Sequence, residues 1–173
     1  MQKVKLPISV DPVRAAQKHL ELDARIPKAL LSRLAESTIS IQSDIDTVFS
    51  FEVDQQKLRI FHGKASVAVE LLCQRCNEPM IYQCDAEFTY CPVHNQEQEN
   101  KLPDAYEPIY YDENGEVNLH QVVEDELILT LPQIAKHAIE DCKINDFELT
   151  FGEIDEEEQR PNPFDALAQL KRK

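Results

Sequence analysis

The stretch MIYQCDAEFTY at residues 80–90 decides the fold class, because apolar and polar side chains alternate along it. Met80, Tyr82, Cys84, Ala86, Phe88 and Tyr90 form the apolar set. Gln83, Asp85 and Glu87 point the other way. A period of two over this length predicts an antiparallel β-strand with one face buried.

The same alternation occurs upstream of this stretch. Phe49, Phe51 and Val53 alternate with polar side chains, and a second run starts at Ala65 and ends at Leu71. The joints at residues 54–57 and 62–64 are short enough for hairpins. With a short strand at 107–111, we predict an antiparallel meander, or partial barrel, of about four to six strands.

Helical spacing appears at four other places, so the predicted fold class is α+β. Two N-terminal helices are predicted to begin at Asp11-Pro12 and at Pro27, and a third to span residues 119–131 and stop at Pro132. Asn162-Pro163 caps a short C-terminal helix. We expect one globular domain over 1–132, and an acidic, partly irregular segment over 133–173 that packs back on it and ends in basic residues. Residues 94–105 are expected to be a mobile loop.

Charge is strongly segregated along the chain, whose formal net charge is −14. Residues 1–33 hold seven Lys and Arg against three acids, and residues 97–160 hold nineteen acids against four Lys and Arg. A field this negative disfavours binding of nucleic acid by the whole surface, so any RNA contact must use a local basic face. The candidate RNA-binding residues are Arg14, Lys18, Arg25, Lys28, Arg33, Arg75, Lys171, Arg172 and Lys173.

The chain carries no membrane or export signal in its sequence. No run approaches the roughly 18 apolar residues of a membrane span, and the first residues lack the apolar stretch of a secretory signal. We therefore expect a cytoplasmic protein without a membrane partner. In a reducing compartment its five cysteines are expected to be thiols or metal ligands.

The strongest local motif is Cys73-Gln-Arg-Cys76 followed by Asn77. Two cysteines separated by two residues can both reach one tetrahedral zinc ion from a tight turn, and Asn tolerates the left-handed backbone that often follows the second cysteine. A zinc site needs two more ligands. Two pairs compete, Cys91 with His94 and His137 with Cys142, and thiols without any metal are the other interpretation.

Other chemistry is not indicated. Redox catalysis is disfavoured because the CxxC follows a strand instead of opening a helix, and Cys84 falls on an apolar strand face as a core thiol. Nucleophile elbows, phosphate-binding glycine loops and HExxH are missing, and we predict no enzyme and no small-molecule substrate. Glu124-Asp125-Glu126 diverge around a helix and are predicted to form a solvated face.

Several stretches, in this order, resemble the bacterial YceD family over essentially the whole chain. They are Met1–Pro7 with Asp11–Arg14, Leu72–Cys76, Tyr106–Ile109, Val123–Leu127 with Leu131-Pro132, and Pro161–Phe164 with Leu170–Lys173. The resemblance implies a large ribosomal RNA accumulation protein that affects synthesis, processing or stability of 23S rRNA. It also favours Cys73, Cys76, His137 and Cys142 as the ligands of one structural zinc ion.

Two functions follow from the resemblance and the charges. The first is a non-enzymatic accessory factor that contacts precursor 23S rRNA through its basic face. The alternative is an acidic protein-interaction adaptor, which acts on rRNA only indirectly through large-subunit ribosomal proteins or processing factors.

Overall fold

In a computed structural model of the chain, residues 4–144 are described. The chain divides into two compact units, Met1–His137 and Ala138–Lys173. The predicted division at residue 132 remains a prediction. The predicted C-terminal helix, the basic end and most of the acidic segment lie outside the described residues. None of the described helices is long and apolar enough to cross a membrane.

The first unit is an α+β fold, as predicted. Its elements in chain order are strands β1 (Val4–Lys5) and β2 (Ser9–Val10), helix α1 (Pro12–Gln17), strand β3 (Glu21–Ile26), a 3-10 turn (Lys28–Leu30), helix α2 (Ser32–Glu36), strands β4 (Ser40–Ile41), β5 (Ile45–Val53), β6 (Arg59–Leu72) and β7 (Pro79–Val93), helix α3 (Gln96–Glu99), strands β8 (Glu107–Tyr110) and β9 (Val117–Asn118), and helix α4 (Leu119–Leu129).

Seven of these strands form one mixed sheet in the order β1-β3-β5-β6-β7-β8, with β4 also paired to β6. The β1–β3 and β7–β8 pairs are parallel, and the other pairs are antiparallel. Strands β2 and β9 form a separate antiparallel pair. Because β1 and β8 end the path among the described strands, the sheet is open and does not close into a barrel.

The long hairpin of β6 and β7 is the centre of the sheet. Its register sets Val67 opposite Cys84 and Gly63 opposite Phe88. A Cβ atom on Gly63 would lie 2.0 Å from the Phe88 ring, so the glycine makes room for the aromatic side chain. The inward residues of this hairpin and of β5 bury an aromatic cluster, and α1 and α4 contact the same strands. The cluster consists of Phe49, Phe51, Phe61, Phe88 and Tyr90.

Four local predictions were wrong. The predicted hairpin joint at residues 62–64 lies inside β6, where these residues pair with both β5 and β7. Strand β3 was not predicted, because only Ala24 and Ile26 of its six residues are buried and its pairing partners are distant in sequence. The predicted second helix is a 3-10 turn followed by the five-residue α2, since Leu31 breaks the helical backbone between them at φ −105° and ψ 73°. The predicted mobile loop contains α3, whose first turn is capped by Asn95.

The starts of α1 and α4 were predicted correctly. The Asp11 side chain accepts hydrogen bonds from the backbone N–H groups of Val13 and Arg14 at the start of α1. The Asn118 side chain accepts one from Gln121 at the start of α4, at 3.1 Å. Both acceptors satisfy N–H groups that have no partner within the helix.

Candidate metal centre

A tight turn at residues 73–78 joins β6 to β7 and carries both cysteines of the CxxC motif. The N–H of Cys73 donates to the carbonyl of Glu78 at 2.9 Å, and the N–H of Asn77 donates to the carbonyl of Cys73 at 2.9 Å. Asn77 has a φ of 56°, which confirms the predicted left-handed residue after the second cysteine. The turn therefore holds the two thiols on one side of a rigid loop.

The segment after α4 returns to this turn and brings His137 to it. The N–H of Gln74 donates to the carbonyl of Ala135 at 2.8 Å, and the N–H of His137 donates to the Cys73 sulfur at 3.4 Å. These two contacts fix the returning chain against the turn. Sixty-one residues of chain separate Cys76 from His137, so their proximity is a property of the fold.

The ligand atoms of Cys73, Cys76 and His137 lie within 4.8 Å of one another. The Cys76 Sγ and His137 Nδ1 atoms are 3.4 Å apart. In a tetrahedral zinc site with ordinary Zn–S and Zn–N bond lengths, the sulfur and nitrogen would be about 3.6 Å apart. The distance and the donor types both fit zinc, and two thiols with an imidazole suit it better than a hard cation.

The imidazole of His137 is oriented by its second nitrogen. Its Nε2 lies 3.3 Å from the carbonyl oxygen of Pro79. A carbonyl only accepts, so Nε2 must carry the proton and a neutral ring leaves the Nδ1 lone pair directed at Cys76. A backbone carbonyl behind a histidine is the usual outer partner of a metal ligand.

The environment of Cys73 favours its thiolate although the side chain is fully buried. Desolvation raises the pKa of the thiol, but it is outweighed by hydrogen bonds from the backbone N–H groups of His137, Cys76 and Arg75 and from the Cys76 side chain. The resulting pKa is about 5. The same two cysteines raise the pKa of His137 through hydrogen bonds. Thiolate character at neutral pH is what a zinc ligand requires.

The remaining cysteines are placed differently. Cys84 is fully buried in β7, as predicted for a core thiol, and Cys91 is also buried. His94 stacks on Tyr111 with ring centroids 4.3 Å apart. Cys91 lies twelve strand residues beyond Pro79 in β7, which is roughly 40 Å, so the pair Cys91 and His94 cannot complete the CxxC site. Cys142 belongs to the second unit, where a turn begins with the N–H of Asp141 donating to the carbonyl of Ala138 at 3.2 Å.

Three of the predicted RNA-binding residues form ion pairs. Arg14 contacts Asp11 at 3.1 Å and Arg25 contacts Asp46 at 2.9 Å. The guanidinium of Arg33 contacts two consecutive acids of α4, at 3.1 and 2.5 Å. These pairs reduce the positive charge that the three side chains offer to an anion.

The other predicted RNA-binding residues are scattered. The Lys28 ammonium donates to the carbonyl of Ile41 at 3.0 Å, and Lys18 is exposed after α1. Arg75 is half-buried in the CxxC turn, and its Nη1 has no hydrogen-bond partner among the described residues. The last three, Lys171, Arg172 and Lys173, lie outside the described residues. An RNA-binding role for the set stays a prediction.

Glu124 has a structural role that the sequence did not reveal. Its side chain is buried, and Oε1 accepts the N–H groups of Arg33 and Leu34 at 2.7 and 3.1 Å. It thus caps α2, whose own preceding residue, Leu31, offers no side-chain acceptor. The predicted solvated face was therefore wrong for Glu124. Its position four residues after the buried His120 and three before the buried Leu127 places it on the buried face of α4, which indicated burial but not the partner.

The fold and this cluster define a class of protein: a small α+β protein with a zinc-type Cys/His ligand set at a CxxC turn. The chain belongs to the YceD family, because residues 61–171 match the family described as "Large ribosomal RNA subunit accumulation protein YceD". A curated relative of that same name from Haemophilus influenzae is 48% identical over 174 residues, which covers all of both chains. No solved structure matches the chain.

Proposed function

We propose that the chain is an accessory factor that supports accumulation of the large ribosomal RNA, through synthesis, processing or stability of 23S rRNA. The observation that carries this proposal is the 48% identity, over its full length, to a relative named for that role. Equal length leaves no additional domain in the relative to which the role could belong.

A complementation experiment tests this function. A Haemophilus influenzae strain that lacks its YceD relative would express this chain, and the ratio of 23S to 16S rRNA would be measured. We expect the chain to restore the ratio, while an empty vector does not. A strain whose ratio stays low at normal protein levels would contradict the proposal.

We further propose that the protein acts by binding and not by catalysis. Among the described residues, Cys73, Cys76 and His137 form a group with the ligand types of a structural metal site. The buried carboxylate of Glu124 is occupied by the backbone of α2. Incubation of purified protein with precursor rRNA should therefore leave the RNA length unchanged. Cleavage that follows the protein through purification would contradict this.

We propose that Cys73, Cys76, His137 and Cys142 hold one structural zinc ion. The three residues of the first unit are supported by their distances and by the thiolate character of Cys73. Cys142 is supported by chain reach, since only four residues separate it from His137 and the turn at Ala138 shortens that path. Zinc would supply cross-linking of chain segments, because structural zinc sites contribute directly to folding.

Elemental analysis of protein purified without chelator tests the zinc site. We expect about one zinc per chain, with Cys76→Ser and Cys142→Ser each losing it. Cys84→Ala is the matched control, because that thiol is buried in the core and remote from the turn. Zinc that survives in Cys142→Ser but not in Cys76→Ser would leave a three-residue site and remove Cys142 from it.

The alternative function, a protein-interaction adaptor, is favoured by the charge of the open sheet face, the side of the sheet away from the aromatic cluster. Register and exposure place seven acids there against three Lys and Arg. The acids are Glu21, Asp23, Asp46, Glu52, Glu70, Asp85 and Glu87, and the bases are Lys5, Arg25 and Lys64. Such a surface suits basic ribosomal proteins better than RNA.

Filter binding with precursor 23S rRNA over a salt series separates direct from indirect action. If the predicted N-terminal residues contact RNA, reversal of Arg14, Lys18, Arg25 and Lys28 to Glu should weaken binding and its salt dependence. Absence of any affinity at low salt would favour the adaptor.

A further inference from the structure

Lys57 and Arg59 are two of the described cations without an acidic partner, and they line the same groove. Arg14, Arg25, Arg33, Lys64 and Lys101 each form an ion pair with a carboxylate. Within residues 4–144, no ion pair is formed by Lys57 or Arg59, and both side chains are exposed. In a chain of net charge −14, cations left without counter-charge mark a place where an anion can bind.

Both side chains line one groove beside the β5–β6 turn. The groove has a volume of about 270 Å³, and Lys101 of the segment after α3 lines it as a third cation. Its walls include Val93, Leu102 and Tyr111. None of the described side chains that line it is a carboxylate. The groove therefore combines positive charge with an apolar and aromatic wall.

The turn that presents Lys57 and Arg59 is closed by hydrogen bonds. Asp54 and Leu58 exchange two hydrogen bonds, of 2.9 Å from the Asp54 N–H to the Leu58 carbonyl and 2.8 Å from the Leu58 N–H to the Asp54 side chain. Lys57 has a φ of 64°, a left-handed conformation that a glycine would adopt more easily. A lysine at this position strains the backbone of the turn, and its side chain carries a positive charge there.

The acids nearest to the groove are already engaged. The second oxygen of Asp54 accepts a hydrogen bond from the Tyr106 hydroxyl at 3.0 Å. Glu97 pairs with Lys101 at 2.7 Å, in an exposed contact that solvent screens. The field of Arg59 reaches Tyr111 and lowers its pKa, against the larger upward effect of burial. Arg59 thus brings positive charge to the aromatic wall, where the charges of Cys91 and Asp11 act against it.

We propose that this groove binds a segment of single-stranded RNA. Phosphates would contact Lys57, Arg59 and Lys101, and a nucleobase would lie against the wall of Leu102 and Tyr111. Proteins recognise unpaired RNA by this combination of basic side chains and an aromatic or apolar surface. The inference rests on the proposed role in rRNA accumulation and deepens it, because it assigns the RNA contact to a surface outside the N-terminal basic residues.

Fluorescence anisotropy with a labelled ten-nucleotide oligouridylate tests this assignment. Three phosphate contacts should give a slope of about −2 for log affinity against log salt, at about 0.7 per contact. Lys57→Glu with Arg59→Glu should weaken binding at least about ten-fold, because two contacts become repulsive. The matched control is Lys5→Glu with Lys64→Glu, which changes the net charge equally on the open sheet face and should weaken binding less than about three-fold.

Further variants separate charge from folding. Lys57→Gly with Arg59→Gln removes both charges while keeping the left-handed turn, and should also lower affinity and the salt slope, by about 1.4. Circular dichroism checks that each variant is folded. Equal losses in the two Glu double variants would show a general charge effect and overturn the proposal. Competition by uridine monophosphate as effective as competition by the oligonucleotide would reassign the groove to a free nucleotide and also overturn it.

The failure of this inference is distinguishable from failure of the proposed function. If the chain restores the 23S to 16S ratio in cells but does not bind oligouridylate at low salt, the proposed function stands and RNA binding by the groove is refuted. If the chain binds the oligonucleotide through Lys57 and Arg59 but does not restore the ratio, RNA binding by the groove stands and the proposed function is refuted.

Discussion

One buried cysteine lies in the turn before strand β7 and another lies near the far end of that strand. The pKa values of the two thiols are shifted in opposite directions. Cys73, in the turn before β7, is fully buried, and its pKa falls to about 5. Cys91, near the other end, is also almost fully buried, and its pKa is raised by burial and by the charge of Asp54. Burial is therefore not what distinguishes them.

The difference lies in the backbone around each sulfur. Three N–H groups point at Cys73, from His137, Cys76 and Arg75, and they stabilise the thiolate. No such donors lower the pKa of Cys91, which lies within the regular ladder of β7 and β8, where backbone groups pair with each other. A buried anion forms where a turn frees N–H groups, which is why the candidate metal site lies at the turn and not in the strand.

The largest effect expected from this contrast is on stability. Cys73→Ala should cost about 4 kcal/mol, because it removes a metal ligand and the anion that organises three N–H groups. Cys91→Ala should cost about 1 kcal/mol, as a small cavity in the core. Urea denaturation measures both. Chelator should lower the free energy of unfolding of the wild type close to that of Cys73→Ala. The stability lost through Cys91→Ala should be the same with and without chelator. Similar losses of stability in the two variants would refute the contrast.

Glu124 extends the comparison to a carboxylate held by backbone N–H groups. We expect Glu124→Ala to lower the free energy of unfolding by about 3 kcal/mol, because it leaves two helix N–H groups and the Arg33 guanidinium without their buried acceptor. Asp125→Ala is the matched control, since this more exposed acid contacts only the outer end of Arg33, and it should cost less than about 1 kcal/mol. Thermal and urea unfolding check both values. Equal costs would mean that the cap is unimportant.

The turn itself can be tested at Asn77. Because its φ is 56°, Asn77→Val should cost about 1–2 kcal/mol, through clashes of a branched side chain in the left-handed region. Asn77→Gly should change stability by no more than about 0.5 kcal/mol, since glycine adopts this conformation freely. Zinc content and urea midpoints of the two variants check the prediction, and a stable Asn77→Val protein would show that the turn does not need this conformation.

Local features of the site were predictable from sequence, and long-range ones were not. The CxxC turn and the left-handed Asn77 follow from adjacent residues, and so do the strand alternation of residues 80–90 and the cap at Asn118. The choice of His137 over His94 depended on a family resemblance, because spacing alone left both open. The hydrogen bonds between Glu124 and α2 join segments 90 residues apart, and no periodic pattern in the sequence predicts them.

The charges show the same limit. Segregation by sequence predicted a positive N-terminal face, yet Arg25 and Arg33 find acids 21 and 92 residues away. Strand β3 was not predicted for a related reason. Its partner β5 is distant in sequence, and three of its six side chains are charged. The tertiary fold determines which charged side chains remain without a partner. Sequence alone therefore offers no reason to single out Lys57 and Arg59.

The smallest expected effect concerns Glu126, a half-buried acid that lacks backbone donors. Burial raises its pKa; the hydrogen bond from Tyr90 opposes this, and the charges of Glu107 and Asp125 add to it. A carboxyl group whose pKa is higher in the folded state contributes stability at low pH and loses it as the pH rises through that value. Glu126→Gln, which keeps an acceptor for Tyr90, should therefore match the wild type near pH 4 and exceed its stability at pH 7, by up to about 0.5 kcal/mol after screening.

Urea denaturation at several pH values between 4 and 7.5 measures this difference. The control is Glu113→Gln in the exposed turn before β9, for which we expect the same small change at every pH. If the stability gain of Glu126→Gln is also independent of pH, Glu126 is ionised as easily in the folded as in the unfolded chain. Burial without N–H donors would then not explain the opposite behaviour of Cys73 and Cys91, and the charge of Asp54 would have to account for Cys91 instead.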